Sequence, residues 1–179
     1  MKHITVNELR QAQLTAGEPI ALSGCLYTAR DAAHKRLAAR LAAGEPLPFD
    51  PRGAAIYYTG PAAAPPGRVI GSCGPTTSGR MDPYTPALYD LGLAATIGKG
   101  QRDAAVCGAI RRNGALYLCA VGGAGALLAS KVASCEVAAF PDLGCEAIYK
   151  LEVEDFPLIV AIDGAGGNLF SAAMRCSHV

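Results

Sequence analysis

The chain has 179 residues, a length that suits one domain spanning 1–179. Hydrophobic residues make up 51% and aromatics only 6%, with 21 Gly and no Trp, so small side chains must fill much of the core. The formal net charge of +1, from 16 basic and 15 acidic side chains, excludes the broad basic footprint of a nucleic-acid binder and gives no polybasic tract for a membrane surface.

Met1 to Gly17 is polar and holds no apolar targeting run, so a soluble, cytoplasmic protein is expected. Pro19 to Leu26 reads as a strand. A helix follows from Asp31, with Ala33, Leu37, Ala38 and Leu41 at helical spacing, Asp31 as N-cap and Gly44 as stop. After the Pro46–Pro51 loop, Ala54 to Thr59 is a short β-rich run. Pro61 to Gly67 is a loop, and Val69 to Ser72 is read as a strand. Pro86 to Leu91 is read as a helix, Ala94 to Ile97 as a strand, Arg102 to Arg112 as a helix and Ala115 to Val121 as a strand. Ala124 to Val132 is predicted helical. Ala147 to Val153 and Leu158 to Ile162 look like paired strands joined by Glu154–Pro157, and Asp163 to Gly167 is a turn. The sum is one α/β domain with a mixed sheet.

The seven cysteines, at 25, 73, 107, 119, 135, 145 and 176, form no CxxC pair. They argue against a disulfide framework and against a metal site built by this chain, and most read as small buried hydrophobes.

Three loops carry chemistry. Tyr27–Arg36 crosses a strand-to-helix junction, where free N–H groups favour anions and Arg30 can fork onto a carboxylate. Arg30 and His34 also suit solvated helix-end positions. Gly74-Pro75-Thr76-Thr77-Ser78-Gly79-Arg80 sets three hydroxyls between glycines and ends on an arginine, a dense donor set that also suits a capped turn. Gly98-Lys99-Gly100 places a lysine at a strand end, where ligands of α/β sheets sit, although an exposed turn lysine reads equally well. Convergence of Arg30, Arg80 and Lys99 would make a pocket for a small dianion. No catalytic dyad is evident, since His34 is the only internal histidine. The chain reads as half of a site.

These loops, with Gly144–Pro157 and Asp163-Gly164, resemble the C-terminal domain of class I fumarases from about Pro19 to Phe170. The Gly-Pro-Thr-Thr and Val-Glu-Asp-Phe-Pro stretches are the most specific. The resemblance implies a β/β/α swivelling-type domain. It implies reversible hydration of fumarate to (S)-malate at a site shared with a larger, cluster-bearing alpha subunit. A [4Fe–4S] cluster would be held by that partner, with no metal ligand in this chain, and the chain alone would be inactive. It further implies that Arg30, Arg80 and Lys99 grip carboxylates and that Thr76 sits at the substrate as a candidate for proton transfer. Thr77 would also line the substrate, Ser78 and Gly79 would shape the loop, and Asp31 and His34 would orient Arg30. The small subunit of L-tartrate dehydratase shares the same loop and is the alternative. Another hydroxy-diacid dehydratase, or an anion-binding module without catalysis, is a further one.

Overall fold

The computed structural model describes residues 1–171. Seven strands form one sheet with four α-helices. The elements are β1 (Lys2–Thr5), β2 (Pro19–Thr28), α1 (Asp31–Ala42), β3 (Ala55–Tyr57), α2 (Thr85–Asp90), β4 (Ala95–Gly98), α3 (Ala104–Asn113), β5 (Leu116–Cys119), α4 (Gly125–Ala129), β6 (Val132–Ala139) and β7 (Ile148–Ile162). The expected mixed α/β class is what forms.

Strands β1 to β5 lie parallel in order. Strand β7 runs antiparallel to β5 on one side and to β2 on the other, so β2, β3, β4, β5 and β7 close a circuit of hydrogen-bonded pairs. Closure removes free edges from these strands. Strands β1 and β6 are appended at β2 and β7.

Successive side chains of a strand point to opposite faces, and this sorts the core into two clusters. Tyr57, Ile97, Leu118 and Phe156 pack on one side, with Val6, Leu9 and Leu14 of the N-terminal segment. Ile56, Tyr58, Tyr117 and Ile162 pack on the other, against Leu37 of α1, Leu88 of α2 and Ile110 of α3. The apolar positions at helical spacing in α1 and α3 therefore face a sheet.

Three expectations need correction. The two paired strands after Ala147 are one 15-residue strand, β7. Glu154–Pro157 is not a connection: Phe156 and Pro157 pair with β2, and Glu154 and Asp155 form a bulge, with Asp155 at φ 49° and its N–H donating to Ser23 Oγ at 3.0 Å. The register against β2 shifts there, between Leu22 and Gly24. Only an unbroken β7 can reach β2, β5 and β6 together, so tertiary pairing overrides local turn chemistry. Val69 to Ser72 forms no strand. The helix after Ala124 ends at Ala129, and Val132–Ala139 is the edge strand β6, mostly exposed and so without a clean alternating pattern. The polar N-terminal segment contributes a strand, β1.

Candidate active site

Parallel strands align their C-terminal ends, and in such sheets ligands gather outside those ends. Here β2 leads into Arg30, β3 into Thr59-Gly60, and β4 into Lys99-Gly100. The Gly74–Arg80 loop is tied across these ends by backbone. Thr76 N donates to Tyr58 O at 2.8 Å, Ser78 N to Lys99 O at 2.9 Å, and Lys99 N to Thr76 O at 3.3 Å. Thr59 Oγ1 donates to Gly74 O at 2.8 Å. Thr76, Thr77, Ser78 and Lys99 thus form one rigid unit. Ser78 lies so close over β4 that a Cβ on Gly98 would stand 2.0 Å from its Oγ. Thr76 is half-buried, Thr77 and Lys99 are exposed, and Gly79 opens a short 3-10 turn toward Arg80.

Arg30 and Arg80 are joined through Asp31. Arg80 donates from Nε to Asp31 Oδ1 at 2.9 Å and from Nη2 to Oδ2 at 2.6 Å. Arg30 Nη2 lies 3.8 Å from Asp31 Oδ2 and 3.7 Å from Glu146 Oε1. Asp31 is therefore not the N-cap of α1. It is the first helical residue, Arg30 holds the cap position, and the helix N-terminus is served from afar: Ala32 N donates to Glu146 Oε2 at 2.8 Å. A side chain 114 residues away along the chain supplies what the local sequence does not, and nothing local could have shown it. Gly60 is a second unforeseen part. A Cβ there would meet Arg30 Cδ and Nη1 and the Cys145 carbonyl, each at 3.0 Å, so only glycine lets the guanidinium lie against the backbone.

Two buried side-chain nitrogens lack a partner among the described residues, Arg30 Nε and His34 Nε2. Both belong to this region, Arg30 Nε as a donor and His34 Nε2 as an acceptor, and buried unpaired polar atoms are rare enough to mark a place where something else binds or moves. His34 Nδ1 is 2.9 Å from the Arg30 carbonyl, which can only accept, so Nδ1 carries the proton. His34 thus bonds the Arg30 backbone. Burial pushes the imidazole down to about 4, against a smaller opposing effect of that hydrogen bond.

A prediction follows from that depression. The unfolded chain takes up a proton near pH 6.5 and the folded one near 4, so the contribution is fully present above about 6.5 and is lost as pH falls through that window. It amounts to about 3 kcal/mol. Urea unfolding of the chain and of His34→Gln should diverge with this sign between pH 7 and pH 4. A pH-independent difference would contradict the buried neutral imidazole.

Cys73 is buried, Cys25, Cys107, Cys119 and Cys135 are half-buried and Cys145 is exposed, so the expectation of mostly buried thiols holds for one of the described six. Cys176 lies outside the described residues. Burial pushes the Cys73 thiol up to about 11, away from the thiolate a metal needs. Among the described residues no group of three metal-ligating side chains comes together. No helix among them is long and apolar enough to cross a membrane.

Residues 1–173 match the family model described as fumarase C-terminus. The chain belongs to the fumarase C-terminus family. Fumarate hydratase 2 of Leishmania major is 39% identical over 173 residues, covering 94% of this chain and 30% of that protein. The aerobic class I fumarate hydratase of Escherichia coli K12 is 40% identical over 161 residues, covering 89% of this chain and 29% of its own. The chain thus spans under a third of the fumarate hydratases it matches. A Methanocaldococcus jannaschii protein, provisionally named L(+)-tartrate dehydratase subunit beta, is 38% identical over 164 residues, covering 88% of this chain and 84% of that one. Arg30, Asp31 and His34 follow the end of β2, Lys99 follows the end of β4, and Thr76, Thr77, Ser78, Gly79 and Arg80 lie in the loop tied across these ends.

Proposed function

We propose that this chain, as a single fumarase C-terminal-type domain, supplies the dicarboxylate-gripping half of a cytoplasmic hydro-lyase site that interconverts fumarate and (S)-malate. The observation that carries the reading is the cationic pair Arg30 and Arg80, bridged by Asp31, beside the Thr76–Lys99 unit, with Arg30 Nε left buried and unpaired. A planar guanidinium meets a carboxylate with two parallel N–H bonds, so Arg30 and Arg80 hold carboxylate groups and Lys99 adds a point charge. Thr77 adds a hydroxyl donor. Ser78 and Gly79 hold the loop, and Asp31 keeps the arginine forks facing the same space.

The reaction adds a hydroxyl to one alkene carbon and a proton to its neighbour. In this reading Thr76 moves that proton, and a neutral hydroxyl needs an acidic or basic neighbour to do so. That neighbour, and the Lewis acid for the hydroxyl in a [4Fe–4S] cluster, belong in this reading to an alpha-type partner.

A second reading has its own support. The relative named for tartrate dehydratase is matched over most of its length, whereas the fumarate hydratases are matched over less than a third. The site offers the same grip to L-tartrate, which differs by one hydroxyl, and few contacts decide between such acids. The test is anaerobic co-expression with a cluster-bearing partner, followed by assays on fumarate and on L-tartrate, with this chain alone as control. Hydration of fumarate only by the complex supports the first reading. Turnover of tartrate alone supports the second. A loaded complex inactive on both, yet binding a dicarboxylate, would leave an anion-binding module.

A further inference from the structure

Arg102 stands just past the Lys99 turn, yet its side chain is fully buried. Nε donates to Asp82 Oδ1 at 2.7 Å, Nη1 to Thr96 Oγ1 at 3.0 Å, and Nη2 to Thr85 Oγ1 at 3.0 Å and to the Tyr58 hydroxyl at 3.4 Å. The guanidinium carbon lies 5.3 Å from the Tyr58 ring centre and 4.9 Å from that of Tyr117. Arginine stays charged in proteins, and a buried ion pair is no better for stability than well-packed apolar side chains. Stability alone is therefore a weak reason for a charge here.

Three of the groups around Arg102, Tyr58, Tyr117 and Asp82, each hold one point of the candidate site. Tyr58 is the residue whose carbonyl accepts the N–H of Thr76. The Tyr117 hydroxyl lies 2.8 Å from the Gly100 carbonyl and 2.9 Å from Ser78 Oγ. The carbonyl can only accept, so the phenol proton goes to Gly100, and Ser78 donates to the phenol oxygen. Asp82 closes the 3-10 turn that presents Arg80, and its second oxygen accepts from Asp103 N at 2.8 Å. Thr96 sits on β4, three residues before Lys99.

We infer that Arg102 is a positioning residue. From beneath the sheet end it fixes, through Tyr58, Tyr117 and Asp82, the loop that presents Thr76 and Arg80 and the turn that presents Lys99. It touches no substrate. The inference builds on the diacid reading above and adds to it the group that sets the geometry.

Two variants test it, in the complex with the cluster-bearing subunit for kinetics and in this chain for backbone order. Arg102→Lys keeps a charge beside Asp82 but cannot reach all four acceptors. Tyr117→Phe keeps the ring and removes only the hydroxyl, and it carries the test should Arg102→Lys fail to fold. Arg102→Lys should lower kcat/KM by about 10- to 100-fold, and Tyr117→Phe by about tenfold, because small misplacements of reacting groups are costly. The loss should fall on kcat as well as KM. Amide exchange should quicken at Ser78 and Lys99 while the amides of β4 and β5 stay protected. Wild-type kcat and KM in both folded variants, or a uniform rise in exchange across the sheet, would show a core residue only and overturn the inference. If the wild-type complex turns over no diacid, the diacid reading fails, and selective loosening of Ser78 and Lys99 still decides for or against the positioning role.

Discussion

Replacing Arg80 by lysine should cut kcat/KM of the proposed complex by about 10- to 100-fold, the scale of losing a hydrogen bond to a charged group. Arg80 spends Nε and one face of Nη2 on Asp31 and keeps the rest of its fork for a ligand. A lysine ammonium is a compact point charge and cannot bridge Asp31 and a carboxylate in one plane. The pair is half-exposed, so its contribution to folding is small and the melting temperature should hardly move. The carboxylate is gripped in ground state and transition state alike, so most of the loss should be in KM. Steady-state kinetics beside a thermal melt make the comparison. A variant with wild-type KM would remove Arg80 from the site.

Thr76→Ala should lower kcat by about 10²- to 10⁴-fold with little change in KM, the range expected when a proton-transfer group is removed. Its backbone contacts, N–H to Tyr58 O and carbonyl to Lys99 N, do not depend on the side chain, so the loop should keep its shape. Thr76→Ser retains a hydroxyl and should stay within about tenfold of the parent by the same reasoning. The two variants together separate chemistry from loop structure. Equal losses in both would point to the threonine methyl and to packing, and an active alanine variant would pass the proton-transfer role to the partner.

Neither variant would have been designed with these contrasts from the linear chain. The donors themselves were legible there. Arg30 and Lys99 each follow a strand that forms, whereas the strand read before the Gly74–Arg80 loop does not, and the loop's hydroxyls suited a capped turn as well. The helices α1 and α3 were legible from their spacing, and the turn at Asp163–Gly167 from its residue types. There Asp163 accepts from the N–H groups of Ala165 and Gly167.

Other parts belong to distance. Glu146 serves the start of α1 from a segment far along the chain, and Asp31, which reads as a local cap, turns instead to Arg80. Arg102 reads as a polar residue at a helix start and is a buried hub. Glu154–Pro157 carries every local mark of a turn, yet the circuit of strands needs one long β7, and a bulge absorbs the extra residue. The sequence by itself determined the kinds of groups available for an anion and the segments that carry them, because strand, helix and turn preferences are local. Tertiary structure alone decided which groups meet, which stay unpaired and what holds them, because those are properties of strand pairing and burial between residues far apart in the chain.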